Sequence, residues 1–183
     1  PHLGMMYVNK ELIGKMENQS HFFKEGITRA ILTPAGPDHA QIAAASGILD
    51  YFDAVYKHHF DEKAEPAQKN RALTKLFNEH EKALLERLLD FLKSRDDVQI
   101  IGPDDAEVRA ATVSIIPNNR TLDQVYATLV KHKIMLGKGD FYAVRPLIDM
   151  DIPRKPGVLR ISFLHYTSMN EIDQLIEALK VAL

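Results

Sequence analysis

The chain has 183 residues, the length of one large or two small domains, and contains no cysteine, which excludes a disulfide scaffold, a thiolate metal site and a cysteine nucleophile within it. Its 23 Lys+Arg are balanced by 25 Asp+Glu, so no basic footprint calls for nucleic acid or an anionic membrane surface. The most apolar windows, Ile27 to Leu32 and Val158 to Leu164, are far shorter than the ~20 residues of a spanning helix. The opening Pro1-His2-Leu3-Gly4 has neither an initiator methionine nor a signal-peptide pattern, and reads as the interior of a longer protein.

In chain order, Leu3 to Val8 is a short apolar run that suits a buried strand, with a brief turn or helix over Leu12 to Met16. Ile27 to Thr33 reads as strand or extended connection, stopped by Thr33-Pro34-Ala35-Gly36-Pro37. From Asp38, a plausible cap, Ile42, Ala45, Leu49, Phe52 and Tyr56 recur at three- and four-residue spacing and predict a helix of about five turns. Lys57 to Gln68 reads as a charged loop. The leucines from Leu73 to Leu92 then predict a long amphipathic helix from about Ala67 to Ser94.

After it, strand signals fall at Val98 to Ile101, Arg109 to Ile116, Ile134 to Leu136 and Val158 to Leu164, and helix signals at Leu122 to His132 and Asn170 to Ala182. This block is a compact α+β unit. The domain seam is expected inside the long helix, dividing 1–80 from 81–183.

Candidate chemistry lies in five places. Gly137-Lys138-Gly139-Asp140 fails as a phosphate-cradling loop, because His132 replaces its first glycine and Asp140 its hydroxyl, so a turn is the plainer reading. His58-His59 could bind a metal only with a third ligand close by, and adjacent side chains do not converge, so they read as loop histidines. Gly36-Pro37-Asp38-His39 precedes a helix N-terminus, which is either an anion seat or simply a cap. Arg160 alternates onto the same strand face as Val158, Ser162 and Leu164, where it needs either an internal acid or an incoming carboxylate. Phe141, Tyr142, His165 and Tyr166 complete a polar-aromatic set that could equally plug the core's edge.

Taken in order, these segments resemble the class V aminotransferases, fold-type I pyridoxal-phosphate enzymes, in their cysteine desulfurase-like branch. The resemblance rests on Pro1 to Tyr7 as the strand after the cofactor lysine, and on Pro34 to His39 as a Gly-Thr-Pro-Asn-His-like segment. It rests further on Gly139 to Ala143 as the active-site loop, and on Val158 to Tyr166 with Glu171-Ile172-Asp173 as the Arg-x-Ser…Tyr-Asn-Thr…Glu-Ile-Asp ending.

The resemblance implies an α/β to α+β fragment: the end of the large cofactor domain, a bridging helix, and a small C-terminal α+β domain with a short, mainly antiparallel sheet. It implies that Arg160, with Tyr142 and Asp140 beside it, takes a small amino acid's carboxylate, and that Gly36 and Pro37 approach the cofactor phosphate across a homodimer. It implies a cytoplasmic parent performing transamination or lyase chemistry with pyridoxal 5'-phosphate, without nucleic acid or membrane.

Three departures qualify it. The Schiff-base lysine precedes this segment, the family's threonine hydroxyl is replaced at Gly36, and the desulfurase cysteine is replaced at Tyr142. The fragment alone is therefore expected to be inactive. A desulfurase or selenocysteine lyase with its acceptor elsewhere, and a non-catalytic binding module, are the alternatives.

Overall fold

The computed structural model describes residues 3–60 and 63–183, so Pro1 and His2 of the resembling N-terminal segment lie outside the described residues. The chain divides into two compact units, Pro1–Lys69 and Asn70–Leu183. The division falls in the same long helix as the expected seam at 80/81, but nearer that helix's start.

The first unit holds α1 (Lys10–Ile13), α2 (His39–Ala44), α3 (Ser46–His59) and the opening of α4 (Pro66–Lys93). Asn9 caps α1 by accepting from the Glu11 amide, and Asp38 caps α2 by accepting from the Gln41 amide. The single helix expected over this stretch is interrupted at Ala45, where the Ser46 hydroxyl donates to the Ala43 carbonyl and competes with the helical ladder. Lys57 to His59 close α3 rather than opening a loop.

Leu3 to Val8 is not a strand, and Ile27 to Thr33 forms a 3₁₀ turn over Thr28–Ala30. An apolar run becomes a strand only when a neighbour takes up its backbone donors and acceptors, and the described residues of this unit offer none. Tyr56 is its one buried hydrophobic residue among those described, stacked on Phe60 at 4.8 Å.

The second unit is where the core lies. Pro66 begins α4 at a position where its missing N–H costs nothing, and 28 residues give the helix a length of about 42 Å. A four-stranded antiparallel sheet follows in the order β1-β2-β4-β3: β1 (Val98–Ile101), β2 (Thr112–Pro117), β3 (Gly137–Gly139) and β4 (Val158–Ser162). Three helices intervene or follow, α5 (Leu122–Lys131), α6 (Val144–Asp149) and α7 (Met169–Ala182).

One sheet face carries Val113, Ile115, Leu159 and Ile161, which pack with Leu84, Leu88 and Leu92 of α4, Val125 and Leu129 of α5, and Ile176 and Leu179 of α7. Each such side chain contributes about 1.5–3 kcal/mol through burial. On the opposite face a smaller cluster joins Leu147 of α6 and Ile152 to Val158, with Ile101, Ile116 and Phe141 against it.

Two expectations are corrected here. The fourth strand is Gly137–Gly139, not Ile134 to Leu136, because the glycine pair lies beside β4, with Gly137 opposite Arg160 and Gly139 opposite Val158. The strand expected from Arg109 begins only at Thr112, where pairing with β4 starts opposite Ser162.

Helix α7 starts with a reciprocal cap. The Ser168 hydroxyl accepts from the Glu171 amide, and the Glu171 carboxylate accepts from the Ser168 amide, which holds that carboxyl below its ordinary pKa. Ser168→Ala is expected to lower the stability of the second unit by about 1 kcal/mol. The check is its urea midpoint, and an unshifted midpoint would remove the cap from the account.

Candidate functional site

Strand β4 delivers Arg160 to the sheet face opposite the main core, with Ser114 and Gly137 as its cross-strand neighbours. The guanidinium carbon lies over the Phe141 ring, 3.9 Å from its centroid. No described carboxylate forms an ion pair with it, so the internal salt bridge is not what occupies this arginine. Arg160 is exposed to solvent.

Phe141 is held from two sides. It closes the small cluster around Leu147 and Val158, and its ring lies so close to Gly137 that a Cβ there would approach two ring carbons at 2.7 and 2.8 Å. Phe141 and Tyr142 both adopt left-handed backbone, φ 49° and 59°, an arrangement disfavoured for residues with a Cβ and kept only where surrounding contacts over-determine it.

Those contacts are visible. One Asp140 oxygen accepts from the Tyr142 amide at 3.2 Å, and the other accepts from Arg154 Nε and Nη2 at 2.9 and 2.8 Å. The Arg154 guanidinium holds the Asp140 carboxyl below its ordinary pKa, with the Tyr142 amide adding to the effect. Gly157, at φ 80°, brings the turn after Arg154 against the Gly139 backbone, so closely that a Cβ would overlap the Gly139 carbonyl.

The sequence-derived residues therefore separate by role. Arg160, Asp140 and Tyr142 share one loop-and-strand assembly, but Asp140 anchors the loop through Arg154. Tyr142 is 98% exposed and its side chain stands clear of the loop that carries it. Arg154, in the turn before β4, is Asp140's partner while its side chain stays exposed. Phe141, which the sequence offered only as part of a polar-aromatic set, lies against Arg160, and Gly137 and Gly157, for which the sequence suggested no site role, make the close approaches that hold the loop.

At the end of β4, His165 stacks on Phe77 of α4 at 4.0 Å, and His80 Nε2 meets the Thr167 carbonyl at 2.7 Å, so the ring must donate there. These contacts fix the loop leading into α7. His58 and His59 sit edge to face at the end of α3, and among the described residues no group of three ligating side chains could hold a metal. No helix among the described residues is long and apolar enough to cross a membrane.

Gly36 and Pro37 belong to the first unit, in an exposed loop with open space around Gly36. Asp38 already takes an amide of the following helix, which is only six residues long. No described lysine or acid is buried, so these residues provide neither an enclosed amine nor an enclosed acid to hold pyridoxal phosphate. They do not by themselves fit that cofactor.

Residues 70–175 match the family described as aminotransferase class-V. An aminotransferase-like protein of Gibberella zeae is 29% identical over 189 aligned positions, covering all of this chain and 43% of that protein. The chain thus spans less than half the length of its curated relative. Among solved structures, a cysteine desulfurase from Escherichia coli superposes with a TM-score of 0.60 at 19% identity, over 82% of this chain and 32% of that one. An apo cysteine desulfurase from Thermococcus onnurineus gives 0.54 at 23% identity, over 63% and 28%. These two likenesses concern the fold. With the matched segment extending from α4 to the middle of α7, more than half of its length, the chain belongs to the class V aminotransferase family.

Proposed function

We propose that this chain is the C-terminal part of a pyridoxal-phosphate-dependent enzyme that acts on a small amino acid by transamination or lyase chemistry, and that it supplies the substrate-binding wall. The observation that carries this reading is Arg160: a guanidinium with no acid partner among the described residues, set on a strand and backed by an aromatic ring. A planar fork in that state suits a carboxylate, which it can take through two parallel hydrogen bonds. The cofactor, which acts as the electron sink, is furnished by the rest of the parent enzyme.

In this reading Arg160 binds and orients the substrate, Tyr142 borders it, and the Asp140–Arg154 pair keeps the loop in place. The open Gly36–Pro37 backbone is the portion of the first unit left for a phosphate contact across a homodimer. Desulfurase chemistry is the second reading, favoured by the solved structures the fold resembles. At the desulfurase cysteine's position stands Tyr142, whose phenol does not accept sulfur as a thiolate does, so that reading requires an acceptor elsewhere.

The test uses the full-length protein with pyridoxal phosphate. The expected result is a bound-cofactor absorption band that shifts on adding L-alanine, with no sulfide released from L-cysteine. Sulfide release would move the assignment to the desulfurases. No cofactor band at all would leave a binding module.

A further inference from the structure

We propose that Phe141 is a positioning residue, whose ring, seated on Gly137, fixes the Arg160 guanidinium so that only its edge is offered to the α-carboxylate of a small amino acid. The inference deepens the reading of Arg160 and rests on it. An arginine on an exposed sheet face has four rotatable side-chain bonds and ordinarily samples many orientations, each of which must be given up on binding.

Here the ring occupies one face of the guanidinium. Because the five N–H donors of that group lie in its plane, a ring over the carbon blocks a face and leaves the edge open. The ring's own position is set from behind. Gly137 stands opposite Arg160 in the β3–β4 pairing, and the absence of a side chain there makes the space into which Phe141 fits.

The left-handed backbone at Phe141 and Tyr142, secured by Asp140 and Arg154, turns the ring back toward the sheet. A glycine and an aromatic ring four residues apart, and a cation some twenty residues further on, are thus brought together in one column. Its consequence is an orientation prepared before the substrate arrives.

The experiment compares Phe141→Leu, Phe141→Tyr, Gly137→Ala and Arg160→Ala in the full-length protein, reading L-alanine KM against kcat, together with the NMR signal of Arg160 Nε–H. Phe141→Leu and Gly137→Ala are expected to raise KM about fivefold with kcat within about twofold, and Phe141→Tyr, which keeps the ring, to match the parent. The Nε–H proton is expected upfield in the parent and in Phe141→Tyr through the ring current, and to return downfield in the other two.

Loss of affinity in Arg160→Ala but not in Phe141→Leu would overturn the positioning role while leaving the arginine's role standing. An Arg160→Ala enzyme with unchanged KM would overturn both. Because the proton shift is read in the unmutated protein, a normal position there overturns the stacking even if a variant fails to fold.

Discussion

Arg160→Ala is expected to weaken binding of a small amino acid by roughly 30- to 150-fold, the equivalent of about 2–3 kcal/mol for a lost charge-assisted hydrogen-bonded pair. The loss should appear in KM and in equilibrium binding, with an unchanged circular dichroism spectrum, because this side chain is exposed and belongs to neither apolar cluster. Arg160→Lys should recover only part of it. A lysine restores the charge but not the planar fork, and it loses the flat contact with Phe141. An alanine variant that binds L-alanine as the parent does would end the proposed function.

Gly157→Ala is expected to lower the stability of the second unit by about 2–4 kcal/mol and to weaken amino-acid binding at the same time. The backbone at Gly157 is left-handed at φ 80°, which charges any Cβ-bearing residue about 1 kcal/mol. The larger share comes from contact: the new Cβ would overlap the Gly139 carbonyl and lie 2.9 Å from the Gly139 Cα. Main-chain atoms of a paired strand cannot swing aside as a flexible side chain does, so β3 and the loop it leads into must shift. Gly36→Ala supplies the contrast, since a Cβ there meets nothing within 4 Å. Urea midpoints of the two variants decide the matter, and equal midpoints would mean that β3 yields freely.

Helices α4, α5 and α7 could be read directly from the sequence, because each buries a leucine- or isoleucine-rich stripe whose period is that of the helix. The face of β4 on which Arg160 lies was equally legible, since alternation admits only two answers and Leu159 and Ile161 settle which side is the main core. Elements that depend on distant partners were not. Leu3 to Val8 has the composition of a strand but no neighbour among the described residues, whereas Gly137–Gly139 has the composition of a turn and is a strand because β4 lies beside it.

Within the site, Arg160 could be singled out because an unescorted charge in an apolar strand is conspicuous. Asp140 was expected to touch substrate, but its partner, Arg154, lies fourteen positions away in a turn with the look of ordinary solvated surface. Phe141's relation to Arg160 depends on a backbone conformation that no periodicity announces.

The outer rim formed by β3 has a further bearing on how copies of this protein behave in a crowded solution. Its three residues comprise two glycines around Lys138, whose amine reaches the Asp123 carboxylate and lies 5.0 Å from the centre of the Tyr126 ring. So short a border, with little side chain to interlock, is a poor template for an additional β-ribbon from another molecule. The same want of bulk that admits an aromatic ring on the inside thereby discourages sheet-to-sheet aggregation along this margin.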